Sequence, residues 1–397
     1  MENNIQSNAE TLRQQRIENI LDATNFREPK KVPVGAEIIS WPFSYAGVRY
    51  EDVMDDPRRA ADAYVKFLDD VELDFMEGAS ITFPVKAFQT LGNNSYQIAS
   101  DGCTVQHNQV DMEYMAPEEY EDLANDPVGF AAAFRSRRLP VLRLPQKERE
   151  ERILQALRET RCWMQTNQYI RDYLDHVKGI VTLESCPIDY MSPLSEILDS
   201  YRGIRDTLLD LRKRPEQVDR ACEALLQLKK EELAHLDPME YASGFPLAAT
   251  GYHAEPFLSP KQYDKYYLKG FKEIALPMME VGMKFFLKGE GSFIRTADWL
   301  RQFPKGSMVI MLDEDDPFEM HKVIGDWQTL ACGITADLLQ TGTKQKCIDY
   351  VNRCFDTFAP GGGFIFMQNK PLLCANDAKI ENLLAVYETA NRRSRGE

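Results

Sequence analysis

The sequence predicts an α/β fold, a single (β/α)8 barrel of the TIM type. Eight short apolar runs recur along the 397 residues, and amphipathic helical stretches lie between most of them. The first run is followed by SWPFSYAG, which lacks the glycine-rich phosphate turn that a doubly wound open sheet would usually carry. A closed barrel of parallel strands is therefore the better interpretation.

Each strand of the predicted barrel is a short apolar run. The eight runs are Val32–Ser40, Leu73–Ile81, Gly179–Cys186, Phe245–His253, Lys284–Glu290, Met308–Asp313, Thr329–Thr335 and Gly362–Gln368. The clearest helices between them are Asp56–Leu68, Pro260–Val281, Thr296–Gln302 and Gln345–Phe358. The glycine run Pro360–Gly363 precedes its strand, which predicts a tight turn at the barrel face opposite the active site.

Two further segments complete the predicted organisation. Residues 1–30 form a helical leader, because Ala9–Ala23 carries apolar residues near helical spacing and Pro29 and Pro33 then stop the helix. Residues 31–397 form the barrel. An insertion at about residues 90–176 follows the second strand, with a hairpin (SYQIASDGCTVQ, then VDMEYMA) and a charged helical region from Glu118 to His176.

Charge and cysteine usage exclude several classes of protein. Sixty-two acidic and 47 basic residues give a net charge of -15, which repels nucleic acid and anionic lipid headgroups. The start of the chain lacks a secretory signal pattern, and no run is long and apolar enough to span a membrane. The eight cysteines are scattered without a C-x-x-C pair, so we expect reduced thiols in a cytoplasmic protein.

Carboxylates crowd the C-terminal strand ends, where barrels of this type place their active sites. With few balancing arginines or lysines, such a mouth suggests a metal, a cationic ligand or carboxyl groups with a raised pKa. We predict Glu290, Glu184 and Asp313 as catalytic residues. For Glu37, Glu77 and Glu184, salt bridges or helix caps explain the sequence equally well.

The remaining predicted site residues bind substrate or metal. The substrate-binding set is Trp41, Phe43, Tyr45, Glu77, Tyr252 and Gln368, in which the aromatic residues that follow the first strand would wall an apolar pocket. A possible zinc ion would be held by Glu290, His253 and Glu255, since histidine and carboxylate side chains are zinc ligands. A histidine hydrogen-bonded beneath a loop is an equally good explanation of His253.

Two stretches of the chain resemble a known superfamily. FREPKKVPV resembles the segment that leads into the first barrel strand of the uroporphyrinogen decarboxylase superfamily. LKGEGSFIRTADWLRQFPKGSMVIMLDEDDPFEMHK and PGGGFIFMQ are similar to a subgroup of corrinoid-dependent methyltransferases that begin anaerobic O-demethylation of methoxylated aromatics. The resemblance covers most of the chain weakly and Leu287 to Ala390 more specifically. It implies methyl transfer from a small methylated substrate to the Co(I) corrinoid of a partner carrier protein.

Departures from the superfamily pattern refine these expectations. Decarboxylases carry arginines after the first strand, and GAEIISWPFSYAG and MEGASITF contain none, which argues against decarboxylation of a tetrapyrrole. Thiol-methylating relatives use a His-x-Cys pair where this chain has Lys288-Gly289-Glu290. Of the subgroup's two glutamates and histidine for zinc, only Glu290 matches, because Ala275 and Met311 occupy the other positions.

The function and the oligomeric state both stay open from the sequence. The chain could be a non-catalytic or zinc-free relative. Such a relative would bind either a small ligand, such as a quaternary ammonium compound, or a corrinoid carrier protein. A homodimer is left open beside a monomer.

Overall fold

The fold is taken from a computed structural model that describes residues 2–78, 81, 83–108, 112–188, 190–241, 245–252 and 254–397. In chain order its strands are β1 Gly35–Glu37, β2 Phe75–Glu77, β3 Tyr96–Ile98, β4 Val105–His107, β5 Val181–Ser185, β6 Leu247–Tyr252, β7 Lys284–Gly289, β8 Met308–Met311, β9 Thr329–Ile334 and β10 Phe364–Gln368.

Eight of these strands form the barrel. They pair in parallel in the order β1-β2-β5-β6-β7-β8-β9-β10. Parallel bridges from Val34 to Phe366 and from Ile38 to Leu372 bring β10 back beside β1. Every barrel strand lies inside one of the eight predicted runs, so the predicted (β/α)8 fold is confirmed.

Helices surround the barrel and fill its connections. The α-helices are α1 Glu2–Thr24, α2 Trp41–Ala46, α3 Tyr50–Val53, α4 Pro57–Asp70, α5 Val85–Leu91, α6 Tyr120–Asn125, α7 Pro127–Arg137, α8 Gln146–Tyr173, α9 Pro193–Glu196, α10 Ile204–Lys213, α11 Pro215–Ala234, α12 Pro238–Tyr241, α13 Pro260–Gln262, α14 Lys269–Glu280, α15 Pro317–Ile324, α16 Ala336–Thr341, α17 Lys344–Phe358 and α18 Ile380–Ser394. Short π-helical turns at Leu174–Lys178, Ile197–Arg202 and Tyr263–Leu268 follow α8, α9 and α13. Within the described residues, no helix is long and apolar enough to cross a lipid bilayer.

The described chain between β2 and β5 holds a hairpin and four α-helices, α5 to α8. β3 and β4 pair antiparallel, with Tyr96 opposite His107, which agrees with the first part of the predicted hairpin. Residues 112–116, at the end of the VDMEYMA stretch, form no strand. The charged region becomes α6, α7 and α8, and α8 leads the chain back to the barrel at β5.

The leader helix α1 closes the N-terminal end of the barrel. Ile17, Ile20 and Ala23 of α1 belong to the same buried cluster as the lumen residues Phe75 and Phe286. An apolar plug of this kind removes the strand starts from water and stabilises the barrel by hydrophobic burial.

Polar contacts fix the same end of the barrel. The Arg16 guanidinium lies 3.1 Å from a carboxylate oxygen of Asp74, and the other Asp74 oxygen accepts a 2.9 Å hydrogen bond from Val34 N. The predicted tight turn before β10 is also here. Gly362 has φ +79°, and a Cβ on it would lie 2.5 Å from the carbonyl oxygen of Arg27, so the backbone leaves no room for a side chain.

Candidate active site

Lumen-facing side chains change character along the barrel strands. Successive residues of a strand point to opposite faces, so residues two apart share a face. On β2 the lumen residue Phe75 is followed two positions later by Glu77, and on β7 Phe286 is followed by Lys288. The lumen is therefore apolar towards its N-terminal end and charged at its C-terminal mouth.

Glu37, Glu77 and Lys288 form a charged cluster on the floor of the mouth. Glu37 and Glu77 are register partners on adjacent parallel strands. Lys288 Nζ lies 3.4 Å from Glu37 Oε1 and 3.5 Å from Glu77 Oε1. Both carboxylates are buried, with about one twentieth of each side chain exposed. One ammonium group thus faces two carboxyl groups in a site largely shielded from water.

Burial sets the protonation of this cluster. Loss of hydration, followed by the neighbouring charge of Glu77, raises the pKa of Glu37 well above its ordinary value. Burial alone would lower the pKa of Lys288, but the charges of Glu77, Glu37 and Glu290 outweigh it and raise that pKa. Lys288 therefore stays charged, and Glu37 retains a proton more readily than an ordinary solvated glutamate.

A cavity of about 550 Å³ opens above the cluster. Its wall includes Trp163, Asn167 and Arg171 of α8. Trp163 Nε1 donates a 2.6 Å hydrogen bond to the carbonyl oxygen of Ile81, and Asn167 Oδ1 accepts a 3.1 Å bond from Ile81 N. These bonds hold α8 beside the chain that follows β2. We refer to this space as the lower chamber.

Two further cavities, of about 360 and 550 Å³, continue upward from the lower chamber. The first shares Glu77, Ser185 and Lys288 with the lower chamber, and the second shares Tyr96 and Glu290 with the first. The three cavities therefore adjoin one another. We refer to the two higher cavities together as the upper chamber.

Stacked rings line the upper chamber. Phe83 stacks on Tyr96 with ring centroids 3.6 Å apart, and Tyr96 stacks on His107 at 4.7 Å. Tyr190 adds another ring and has φ +50°, a backbone conformation that is uncommon for a tyrosine. Non-glycine residues held in this conformation cluster at functional sites, so Tyr190 is a further candidate. These side chains give the chamber an aromatic wall against which a small ring or a methylated group can pack.

The charge of the mouth differs from the sequence prediction. We predicted few balancing basic residues, but Arg171 lines the lower chamber and Arg138 lines the upper chamber. Both come from the helical region between β2 and β5, and not from the segments GAEIISWPFSYAG and MEGASITF at the first two strands. Burial lowers the pKa of Arg138 and of His107, because loss of hydration disfavours the charged form of each side chain.

Glu290 and Glu77 are the predicted site residues that line the chambers. Glu290 lies on the rim of the upper chamber with its side chain exposed, and its backbone N–H donates a 3.0 Å bond to the Tyr252 carbonyl. This bond puts Glu290 next to the end of β6. Glu77 belongs to the floor cluster and lines both the lower and the upper chamber.

The other two predicted catalytic carboxylates lie outside the chambers. Leu183 and Ser185 of β5 face the lumen, so the intervening Glu184 faces outward and pairs with Arg171. Asp313 Oδ2 accepts a 2.7 Å hydrogen bond from Gly291 N, and Asp313 Oδ1 lies 3.0 Å from Lys370 Nζ. Asp313 thus supports the loop that carries Glu290 but does not face the cavity.

The predicted aromatic wall after β1 is a helix-packing layer instead. The chain enters α2 at Trp41, so its aromatic side chains turn towards α4. The Trp41 ring stacks on Tyr45 at 5.3 Å and meets Phe67 edge-on at 5.8 Å. Phe43 is fully buried against Tyr64 at 5.7 Å. Trp41, Phe43 and Tyr45 therefore stabilise the α2–α4 contact and do not reach the chambers.

Tyr252 and Gln368 are also buried away from the lumen. The hydroxyl groups of Tyr252 and Tyr263 are hydrogen-bonded to each other within a cluster of aromatic rings. Gln368 Nε2 donates a 2.6 Å bond to the Glu37 carbonyl, and Gln368 Oε1 accepts a 2.6 Å bond from the Tyr387 hydroxyl. Gln368 therefore joins β10, β1 and α18 behind the floor cluster.

The predicted zinc ligands do not converge among the described residues. His253 lies outside them. Glu255 is fully buried and accepts a hydrogen bond from the Thr296 hydroxyl, and burial raises its pKa to about 6. Across residues 2–397 without the gaps given above, no three histidine, cysteine, aspartate or glutamate side chains are grouped as metal ligands. These residues alone do not fit a zinc ion.

The sequence predicted part of the floor cluster but none of the insertion residues that line the upper chamber. Glu37 and Lys288 lie at strand ends, and the alternation of side chains along the barrel strands is the signal that could select them. Tyr96, His107 and Arg138 come from the insertion, where no local pattern shows that the chain folds back over the mouth.

Comparison with solved structures shows the fold that this chain shares with others. A methyltransferase from Methanosarcina mazei is similar with a TM-score of 0.59 and 13% identity, over 95% of this chain and 98% of that one. A B12-independent methionine synthase from Shewanella sp. W3-18-1, in complex with selenomethionine, has a TM-score of 0.45 and 10% identity, over 92% and 98%. No protein-family model and no curated protein sequence matches the chain. The likeness to the Methanosarcina methyltransferase establishes a common barrel fold.

Proposed function

We propose that this chain is a methyltransferase that moves a methyl group from a small methylated substrate to the Co(I) corrinoid of a partner protein. A methoxylated aromatic compound is our candidate substrate. The observation that carries the proposal is one continuous cavity, with stacked rings in its upper part and a buried, proton-retaining carboxyl group on its floor. The fold shared with the Methanosarcina methyltransferase over nearly the whole chain supports the reaction class.

The upper chamber would bind and orient the substrate ring. Phe83 and Tyr96 are in its wall, and a favourable contact between two aromatic rings contributes about 0.5–1.5 kcal/mol beyond burial. Chambers of about 360 and 550 Å³ suit a small ring. The corrinoid would stay on its carrier protein and would supply the nucleophile for the methyl carbon from the open side of the chambers.

Proton delivery to the leaving oxygen is the task we assign to Glu37. As the methyl carbon passes to its acceptor, the carbon–oxygen bond breaks and the oxygen keeps the bonding electron pair. A proton from Glu37 then gives a phenol instead of a phenolate, which lowers the barrier by general acid catalysis. Lys288 holds Glu37 in place, stays charged, and stabilises the carboxylate that remains after proton transfer.

An anaerobic assay tests this proposal directly. The protein is incubated with cob(I)alamin and a panel of methoxylated aromatics, and formation of methylcobalamin is followed by its absorption spectrum. We expect turnover with at least one methoxylated aromatic, and Glu37→Gln should reduce the rate by about 100-fold because it removes the acidic proton. Glu280→Gln, at an exposed helix end, is the matched control and should retain full activity.

Two results would contradict the proposal. If no methylated donor gives methylcobalamin, the chain is not a methyltransferase of this kind. If Glu37→Gln keeps the wild-type rate while a donor is turned over, the methyl transfer stands but the acid is another group.

Binding of a methylated ammonium compound is the second candidate function. The carboxyl group of Glu290 and the ring faces of Phe83 and Tyr96 line the same chamber, and this combination attracts a quaternary ammonium group through cation–π and charge interactions. Calorimetric titration with tetramethylammonium distinguishes the two. Binding without turnover in the cobalamin assay would favour this alternative, whereas turnover of a methoxylated aromatic would favour the first.

Zinc remains a proposal that depends on His253. No step above uses a metal, because the described donors do not form a metal site. We propose that any bound zinc contacts Glu290 and His253. Elemental analysis after purification tests this, and stoichiometric zinc that Glu290→Ala leaves unchanged would contradict it.

A further inference from the structure

Helix α8 carries an apolar stripe on its solvent side. Leu154, Leu157 and Met164 have 55%, 61% and 59% of their surface exposed, and their spacing of three and seven residues puts them on one face of the helix. The opposite face is already packed, since Ala156, Thr166 and Ile170 are buried. Single exposed apolar side chains are common, but two leucines and a methionine along one helix line form a surface suited to a partner.

Charges of opposite sign flank the two leucines of this stripe. Glu150 lies four residues before Leu154, and Arg161 lies four residues after Leu157, so the order along one line is Glu, Leu, Leu, Arg. The spacing of four, three and four residues is that of a heptad seam. Both charged side chains are exposed, and in the described part of the chain Arg161 has no ion-pair partner.

We propose that a second copy of this chain docks along α8 in antiparallel orientation. The two-fold axis passes beside the point midway between Leu154 and Leu157. It places Leu154 of one copy against Leu157 of the other copy, and the reverse. The same axis brings Glu150 of one copy against Arg161 of the other, twice. The stripe is therefore complementary to itself, as an interface with two-fold symmetry requires.

Self-complementarity favours a second copy over an unrelated partner. A parallel arrangement would place Glu150 against Glu150 and Arg161 against Arg161, which like-charge repulsion opposes. An antiparallel arrangement satisfies both charges and buries all four leucines. The chain as a whole has a net charge of -15, so two copies repel each other unless a local contact of matched charge holds them.

The same register connects the interface to the active site. Met164, at the far end of the stripe, lines the lower chamber. The antiparallel register sets Lys147 of the second copy opposite Met164. The contact thus runs about 25 Å along α8, from the outer surface to the rim of the chamber. A contact of this length lies at the small end of specific interfaces, so we expect a dimer that dissociates on dilution.

Analytical ultracentrifugation of the full chain tests the dimer. The wild-type protein should shift from monomer to dimer between about 1 and 100 µM, as expected for a small interface. Leu157→Lys should raise the dissociation constant by about 100-fold or more, because two leucines per dimer lose their burial and two charges enter the seam. Val281→Lys, at a valine that is 55% exposed after α14, is the matched control and should dimerise like the wild type.

A charge exchange tests the register. Glu150→Arg places arginine against Arg161, and Arg161→Glu places glutamate against Glu150, so each variant alone should dissociate about tenfold more readily. Mixing the two variants in equal amounts should restore a dimer of wild-type strength, because each opposed pair is again of opposite charge. Circular dichroism spectra and melting curves of the separate variants establish that both are folded.

Three outcomes would overturn the proposal. The wild-type chain could be monomeric throughout the concentration range, which would leave the stripe to another partner. Leu157→Lys could dimerise as tightly as the Val281→Lys control, which would place the interface elsewhere. The mixed charge variants could stay dissociated, which would exclude the antiparallel register.

Discussion

The two ends of the barrel lumen are built on the same strands and serve different purposes. At the N-terminal end, Phe75 and Phe286 meet the apolar face of α1 and exclude water. Two residues further along the same strands, Glu77 and Lys288 face a cavity. A step of two residues along a strand therefore separates a layer that stabilises the fold from a layer that can carry chemistry.

Truncation in the apolar layer should have the largest effect on stability. Phe286→Ala removes a fully buried ring beside Phe75 and should lower the free energy of unfolding by about 4 kcal/mol. Urea unfolding followed by circular dichroism measures this. Phe257→Ala, at a ring that is 53% exposed, is the control and should change stability by less than about 0.5 kcal/mol. Equal losses at the two positions would contradict a special stabilising role for the apolar layer.

Removal of the cation from the charged layer should have the second largest effect on stability. Lys288→Met leaves Glu37 and Glu77 without their counter-charge and should destabilise the fold by about 3 kcal/mol at neutral pH. Without Lys288, the pKa of Glu37 should rise still further above its value in the unfolded chain. The loss should therefore be small below the ordinary glutamate pKa and should grow as the pH increases.

The control for that experiment is Lys230→Met, which removes an exposed partner of Glu273. Its effect should stay within about 0.5 kcal/mol across the pH range. A Lys288→Met protein whose stability parallels the wild type at every pH would show that the floor cluster has no electrostatic role.

The glycine turn at the N-terminal end offers a smaller test. Gly361 and Gly362 both have positive φ, so alanine at either position should cost about 1–2 kcal/mol of backbone strain. Only at Gly362 would the new Cβ meet the Arg27 carbonyl oxygen, and we expect Gly362→Ala to cost about 1 kcal/mol more. Thermal unfolding measures the difference, and equal melting temperatures would contradict the close packing at this end.

The pH dependence of methyl transfer gives the most gradual effect. Because burial raises the pKa of Glu37, its acid form is present below that pKa and is lost as the pH increases through it. The wild-type rate should fall by up to about tenfold per pH unit above this value. Glu37→Gln should show no such decline. A wild-type rate that increases with pH would indicate a base instead of an acid.

Much of the barrel could be predicted from the sequence, because parallel strands buried on both faces appear as apolar runs. The direction in which each side chain points could not be predicted. A shift of one residue moves a side chain to the other face of a strand. The sequence prediction of Glu184 as catalytic is off by one residue, because Ser185 is the residue that faces the chamber. Knowledge of the apolar lumen residues, such as Leu183, is what fixes this choice.

The rest of the site escaped prediction for two physical reasons. Trp41 and Phe43 follow a strand end, as pocket residues often do, but the chain begins α2 at once and turns their rings towards α4. His107 and Arg138 are far from the floor cluster in sequence. Their approach to Glu290 depends on how the region between β2 and β5 packs over the mouth, and local patterns carry no information about that packing.

The hydrogen bonds of Gln368 have a consequence for how the protein is made. Gln368 lies 331 positions after Glu37, whose carbonyl oxygen it binds, and it is itself held by Tyr387 of α18. During synthesis the ribosome delivers β1 long before these partners exist. The nascent chain can form its early strands and helices, but it cannot fix the backbone beneath Glu37 until α18 has emerged. Fragments that end before α18 should therefore lack a formed floor, so the proposed activity would arise only after the last barrel helix is in place.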